Sequence, residues 1–194
     1  DTDNDGLKDF VNTPVNVSGV GDVGFSSYFA IDVTDPENPD LLWEFSRQEG
    51  DLGFATTGPA VVRVGGNNTV NGKWFVVFGS GPTGPINSVD RQFMGRSDQN
   101  LKFFVFDLKN GPGAGNINVT TIDSGIQYAF ASSIVDSTID PDVNYSDDAF
   151  YVGYVTRAAT TNRPPNPPTP ATYKWTEGGI GKIVTYENTD PTTW

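Results

Sequence analysis

Three stretches of the chain repeat one order of apolar and polar positions: an apolar run, then an acid, then a turn. They are Phe29-Ala-Ile-Asp32-Val-Thr-Asp35-Pro36, Phe104-Val-Phe-Asp107-Leu-Lys-Asn110-Gly111 and Ile183-Val-Thr-Tyr-Glu187-Asn-Thr-Asp190-Pro191. They recur at intervals of roughly 75 to 80 residues, which is long for a structural repeat and implies insertions. After each turn the pattern predicts another strand: Leu41-Leu42-Trp43-Glu-Phe45, Ile117-Asn-Val119-Thr-Thr-Ile122, and the terminal Thr192-Thr193-Trp194. A second column of similarity precedes the first. Gly58-Pro59-Ala-Val61-Val62-Arg-Val64 leading to Lys73-Trp74-Phe-Val-Val-Phe78-Gly79 matches Ala131-Ser-Ser-Ile134-Val135-Asp136 leading to Ala149-Phe150-Tyr-Val152-Gly153-Tyr154.

Four strands per repeat, antiparallel and in series, describe the blades of a β-propeller. The expected fold is all-β and quinoprotein-like, with 1–194 forming part of one propeller domain. Blade one covers 1–50, blade two 51–127, and an incomplete blade three 128–194. About three blades leave strand edges bare at both flanks, so the stretch is expected to be a fragment of a larger ring. Long insertions are expected between second and third strands, at 12–26, 82–100 and 156–178, all leaving from one face where partner contacts belong. The last contains Arg163-Pro-Pro-Asn-Pro-Pro-Thr-Pro170, which cannot join a sheet. Beside it, Tyr173 and Trp175 are candidate partner anchors. Trp43, Trp74, Phe103, Phe104 and Phe106 are expected in the blade core and between blades.

Composition sharpens this picture. The chain has 194 residues, with 20 Val against 6 Leu, 22 Gly and 14 Pro, a strand-and-turn balance. Net charge is −12, and 19 of the 24 acidic residues are Asp, the acid of turns and calcium loops. Such a charge disfavours nucleic acid as a partner. No apolar run is long enough for a membrane helix. With 0 Cys and 0 His, disulfides, thiolate metal sites and the usual general base are excluded.

The acidic residues concentrate in two loops. Asp1-Thr-Asp3-Asn-Asp5-Gly6-Leu7-Lys-Asp9 places carboxylates at positions 1, 3, 5 and 9 around a glycine. Ca²⁺ is a hard cation that takes six to eight oxygens, so Asp1, Asp3, Asp5, the Leu7 carbonyl and Asp9 can converge on one ion while Gly6 permits the sharp turn. Position 12 is Asn12 rather than the bidentate Glu of an EF-hand, and Phe10-Val11 begins a strand. This is a β-flanked relative of that loop. A second, degenerate copy, Asp140-Pro-Asp142-Val-Asn144-Tyr-Ser146-Asp-Asp148, offers Asp140, Asp142, Asn144, Ser146 and Asp148. Its sixth position is Tyr145, where a non-glycine makes the tight turn costlier.

Taken together, Tyr28-Phe-Ala-Ile-Asp-Val-Thr-Asp-Pro36, Pro39-Asp-Leu-Leu-Trp43, Asp51-Leu-Gly53 before Pro59, Gly72-Lys-Trp-Phe-Val-Val-Phe-Gly79 and Glu187-Asn-Thr-Asp-Pro191 with Trp194 resemble the blade signatures of PilC/PilY-type proteins of bacterial type IV pili. Combined with the DxDxDGxxD loop, the order is more specific than any single motif. The resemblance implies a secreted or outer-membrane-associated, cell-surface protein. Its calcium-binding propeller would serve pilus assembly, retraction control and adhesion, with pilins or minor pilins and a host or abiotic surface as partners. Only Asp1, Asp3, Asp5 and Asp9 match that family's metal loop. Asn12-Thr13-Pro14 departs from it by stopping the strand. The expected role is non-enzymatic. A quinoprotein-like dehydrogenase, or an integrin- or lectin-like adhesive propeller unrelated to pili, are the alternatives that the same propeller and calcium loop would serve.

Overall fold

The computed structural model describes residues 27–47, 51–65, 72–82, 97, 99–156 and 177–194, and the backbone of 15–17 and 21–23. Within them the chain is strands and turns, with two single-turn 3-10 helices at Ala114–Asn116 and Pro191–Thr193. Strands β1 (Val15–Val17) and β2 (Gly21–Val23) pair in a small hairpin inside the segment expected to be a loop. Strands β3 (Tyr28–Asp32) and β4 (Asp40–Phe45) form a second antiparallel pair.

The central sheet is the four-stranded unit that the repeat predicts. Strands β5 (Ala60–Val64), β6 (Lys73–Gly79), β7 (Lys102–Asp107) and β8 (Thr120–Asp123) lie side by side in chain order, each antiparallel to the next. A third sheet holds β9 (Ala129–Ala131), β10 (Thr138–Ile139), β11 (Ala149–Thr156) and β12 (Glu177–Val184).

The acid that recurs after each apolar run has a local cause. Asp32 Oδ1 accepts from the Thr34 amide at 2.8 Å, and Asp107 Oδ1 from the Lys109 amide at 3.0 Å. The second acid of the motif does the same work: Asp35 Oδ1 accepts from the Glu37 amide at 3.1 Å and Asp190 Oδ1 from the Thr192 amide at 3.0 Å. These Asx turns reverse the chain at the end of the strand, which is why Asp outnumbers Glu here.

Continuous apolar runs in the central sheet serve two cores at once, because successive side chains of a strand point to opposite faces. Phe75, Val77, Phe103 and Val105 pack with Ala131, Ile134, Phe150 and Val152 of the third sheet. Val76, Phe78, Phe104 and Phe106 pack with Trp43, Phe45 and Leu52 on the other side. Phe45, Phe78 and Phe106 have ring centroids 5.2 to 5.7 Å apart. Each such burial contributes about 1.5–3 kcal/mol. Close approach of central and third sheets depends on Gly79, where an added Cβ would lie 2.3 Å from Ala131 Cβ.

Three expectations are corrected. Trp74 is 47% exposed rather than in the core; it lies near the end of the sheet, with the Arg63 guanidinium 5.7 Å from its ring. The first strand of the third sheet is broken in two. β9 pairs with the end of β11 and β10 with its start. Between them the chain leaves the ladder so that Ile134, fully buried, can plug the core and donate its amide to the Gly58 carbonyl at 3.1 Å. Finally, Thr192-Thr193-Trp194 is not a strand. Asp190 caps a 3-10 turn begun by Pro191, and Trp194 seats edge-on against Phe75 at 5.3 Å.

The sheet ends define two rims. The β6–β7 and β11–β12 connections leave together: the Ala131 amide donates to the Ser80 carbonyl and the Ala129 amide to the Gln99 carbonyl, while Ala129 pairs with Thr156. The opposite rim carries the end of β5, the turn after β7 and the loop between β10 and β11. That loop is the second acidic one.

Candidate metal centre

The loop from Asp140 to Asp148 hangs between the two-residue β10 and the long β11, and its ends are held from outside. On one side it is tied to the central sheet. The Asp147 amide donates to the Arg63 carbonyl at 2.7 Å, the Arg63 amide to Asp147 Oδ2 at 2.6 Å, and the Gly65 amide to Ser146 Oγ at 3.2 Å. On the other side, the Thr185 and Tyr186 amides donate to the Asp148 carbonyl at 2.9 and 3.1 Å, and the Thr185 hydroxyl donates to the Asp147 carbonyl.

Inside the loop the carboxylates converge. Asp140, Asp142 and Asp148 each offer one oxygen, and all three oxygens lie within 4.8 Å of one another. Asn144 stands beside them, its amide hydrogen-bonded to Asp140 Oδ1 at 3.1 Å and its side-chain nitrogen to Asp142 Oδ2 at 3.0 Å. Asn144 Oδ1 accepts from the Ser146 amide at 2.7 Å. The hydroxyl of Ser146 is turned to Gly65 instead. Thus three of the five residues read from the sequence meet, a fourth braces them, and the fifth fastens the loop to its neighbour. Tyr145, at the sixth position, adopts φ 67°, and Val143 φ 59°. The left-handed turn that glycine makes easy in such loops is formed here by side chains that disfavour it.

The electrostatics of the three acids differ. Desolvation opposes ionisation of Asp140, but the amides of Tyr145 and Asn144 outweigh it and hold the carboxyl below its ordinary value. Asp148 is pushed upward, first by burial and then by the negative charges of Asp142, Asp140, Glu187 and Asp147. Its Oδ1 is sealed from solvent and has no hydrogen-bond partner. A carboxylate with one buried, orphaned oxygen, in a cluster with two more carboxylates, matches the needs of a hard cation, and the donors are all oxygen, which suits calcium rather than a soft metal.

The first loop, with Asp1, Asp3, Asp5, Leu7 and Asp9, lies outside the described residues, as do Tyr173 and Trp175. The anchoring of the second loop to Arg63 and Gly65 was not legible in the sequence. It depends on which strand of the next sheet comes alongside. Among the described residues no helix is long and apolar enough to cross a membrane.

No family model matches the chain. A stretch of 59 residues, 30% of the chain, is 49% identical to the Type IV pilus biogenesis factor PilY1 of Pseudomonas aeruginosa strains PAO1 and PAK. Over 89 residues, 45% of the chain, it is 33% identical to the protein of that name from strain UCBPP-PA14. These matches span 5% and 6% of the relatives' own length. Among solved structures, the Pseudomonas aeruginosa PilY1 C-terminal domain aligns at 28% identity over 69% of this chain and 23% of that one, with a TM-score of 0.44. The sequence is therefore similar to that of PilY1-type pilus biogenesis factors, as the order of its strand motifs implied.

Proposed function

We propose that this PilY1-type chain is a calcium-binding β-propeller module of a type IV pilus-associated, cell-surface protein, acting in pilus assembly, retraction control and adhesion. The observation that supports calcium most directly is the convergence of Asp140, Asp142 and Asp148 with one oxygen buried and unpartnered. Support for the propeller comes from sheets stacked face to face with two separate cores. The relatives' name supports the pilus.

In this reading Asp140, Asp142 and Asp148 hold one ion with Asn144 beside them, and Asp1, Asp3, Asp5, the Leu7 carbonyl and Asp9 hold another. Bound calcium supplies positive charge that offsets carboxylate repulsion. The chain's own contribution is to keep the donors together and to transmit loop order to the Arg63–Gly65 edge through Asp147 and Ser146. Because the ion binds the folded form, it stabilises by about 2.7 kcal/mol at a hundredfold excess over Kd. The role is structural and adhesive rather than catalytic. Partner contact falls on the rim of the β6–β7 and β11–β12 connections, with pilins or a surface as the partner and Tyr173 and Trp175 as anchors.

Two measurements test this. Calorimetry is expected to give calcium heats that fall when Asp3→Ala and Asp5→Ala are combined, and fall again with Asp142→Ala. No heat at about 5 mM calcium, beyond the usual range of extracellular modules, refutes the metal assignment. Replacing residues 162–176 by a Gly-Ser linker in the full-length protein is expected to abolish surface attachment while calcium affinity stays. Unchanged attachment refutes the partner face.

A further inference from the structure

The turn that joins β7 to β8 is braced by its own backbone. The Leu108 amide donates to the Trp74 carbonyl at 2.9 Å, the Gly111 amide to the Asp107 carbonyl at 2.9 Å and the Asn118 amide to the Pro112 carbonyl at 3.0 Å. Asp107 Oδ1 accepts from the Lys109 and Asn110 amides at 3.0 and 2.7 Å. Gly111, at φ 70°, lies so close to Trp43 that an added Cβ would stand 2.7 Å from its Cγ. The turn therefore has one shape.

Polar side chains in the turns of this chain are mostly spent on bracing. Asn38 donates to Asp35 Oδ2, Asn116 to the Ser46 carbonyl and Asn188 to the Thr193 hydroxyl. The side chains of Asn110, Asn118 and Thr120 differ, since they make no hydrogen bond among the described residues, and Asp107 Oδ2 accepts none. All four residues line one recess of about 340 Å³, at the rim that carries the turn after β7. Phe75 and Val105 give it apolar lining. Pro191 adds a wall from the 3-10 turn whose Trp194 packs on Phe75.

This lining selects a ligand class. It holds a carboxylate and neither Lys nor Arg, so charge disfavours an anion. A wholly apolar molecule would strip water from four polar side chains and return no hydrogen bond. The match is a molecule with hydroxyls along one edge and C–H groups on a face. Each hydroxyl both donates and accepts, as a mixed set of amide, hydroxyl and carboxylate groups requires, while the C–H groups meet the apolar lining. Pyranose sugars have that form. Because the turn is fixed and its polar side chains are short, little conformational freedom is lost on binding.

We propose that this recess is a saccharide site that takes one neutral pyranose unit, free or at the end of a glycan, held by Asp107, Asn110, Asn118 and Thr120. It goes beyond the calcium reading and does not depend on it, since none of Asp140, Asp142 and Asp148 lines the recess. It also lies on the rim opposite the β6–β7 connection, so a sugar and a protein partner would not compete for one surface.

Saturation-transfer NMR on the full-length protein tests this, with glucose, galactose, mannose and N-acetylglucosamine as probes and N-acetylneuraminic acid as the anionic control. At least one neutral sugar is expected to receive saturation at its ring C–H protons, and the acid none. Asn110→Ala and Asn118→Ala should each weaken binding about 3- to 10-fold, and together about 10- to 100-fold. Their melting temperature should match the parent's, because neither side chain braces the turn. Thr120→Val, which keeps the shape and removes the hydroxyl, should weaken binding about 3- to 10-fold as well. Saturation of none of the neutral sugars overturns the proposal. Binding that survives the double variant overturns it too, by placing the sugar elsewhere, and a lower melting temperature does so by making the two amides supports of the turn. Equal binding of the acid overturns the choice of a neutral ligand.

Discussion

Replacing Asp148 by Asn is expected to change stability in opposite directions with and without calcium. Asp148 Oδ1 is buried without a hydrogen-bond partner, and one oxygen of Asp148 lies within 4.8 Å of an oxygen of Asp140 and of Asp142. Leaving a buried acceptor unmatched costs about 1–3 kcal/mol. An Asn amide at this position can donate to either neighbour and removes one negative charge. In EGTA, Asp148→Asn should therefore be more stable by about 1 kcal/mol, which for a chain of this size raises Tm by roughly 2–4 °C. In calcium the order reverses. The parent gains about 2.7 kcal/mol at a hundredfold excess over Kd, and the variant, with a charged ligand gone, gains little of it. Thermal melts followed by circular dichroism, in EGTA and in saturating calcium, on a background carrying Asp3→Asn and Asp5→Asn, read both halves of the crossover. A variant less stable than the parent in EGTA refutes the claim that Asp148 is unsatisfied. One that keeps the full calcium shift refutes its role as a ligand.

Other consequences are more local. Phe104→Ala removes a fully buried ring packed 5.5 Å from Phe45, and should cost about 3–5 kcal/mol in denaturant unfolding. Gly79→Ala drives a Cβ into Ala131 between two sheets with no slack on either side, and a loss of about 1–3 kcal/mol is expected; an unchanged unfolding midpoint would mean the sheets separate freely. Asp51 pairs with Lys102 at 2.7 Å and Arg47 at 3.3 Å, and although desolvation opposes it, these cations hold its carboxyl below the ordinary value. A depressed folded-state pKa gives stability that is present above the unfolded value near 4 and is lost as pH falls through the folded one. Asp51→Asn should thus cost about 0.5–1 kcal/mol after solvent screening at neutral pH, and nothing once the medium is acid enough to protonate native Asp51. A pH-independent difference would point to packing instead.

Sequence pattern revealed most of this architecture because the central sheet obeys a simple rule. Runs such as Lys73–Gly79 and Lys102–Asp107 are apolar on both faces, and a strand of that kind has to lie between two other layers. The Asp that ends the first two runs was equally legible, since an Asx turn needs no tertiary information. What failed were features decided by neighbours in space. Ile134 left its strand to pack between sheets, Trp74 stayed exposed near the start of β6, and Trp194 found Phe75 instead of a strand partner. Of the second acidic loop, residue types and spacing identified Asp140, Asp142 and Asp148. Nothing in that spacing could say that Ser146 would turn toward Gly65, or that a turn some forty residues on would lie against Asp148.

The tyrosine at position six shows where the cost of a degenerate loop falls. A left-handed conformation at a side chain with a Cβ costs about 1–2 kcal/mol, and Val143, β-branched, adds a second such residue. If these angles formed only when an ion arrived, the strain would weaken binding by one or two powers of ten. Protein contacts brace these angles: the Asn144 and Tyr145 amides on Asp140, and the fastenings at Arg63, Gly65 and Thr185. Where such contacts set the angles, the strain is borne by folding rather than by binding. It follows that Tyr145→Gly should raise thermal stability in EGTA and calcium alike, by about 0.5–1 kcal/mol once the greater freedom of glycine in the unfolded chain is allowed for, and leave calcium affinity within about twofold. A tenfold tighter site in calorimetry, with melting in EGTA unchanged, would show that the loop takes its shape only with the ion in place.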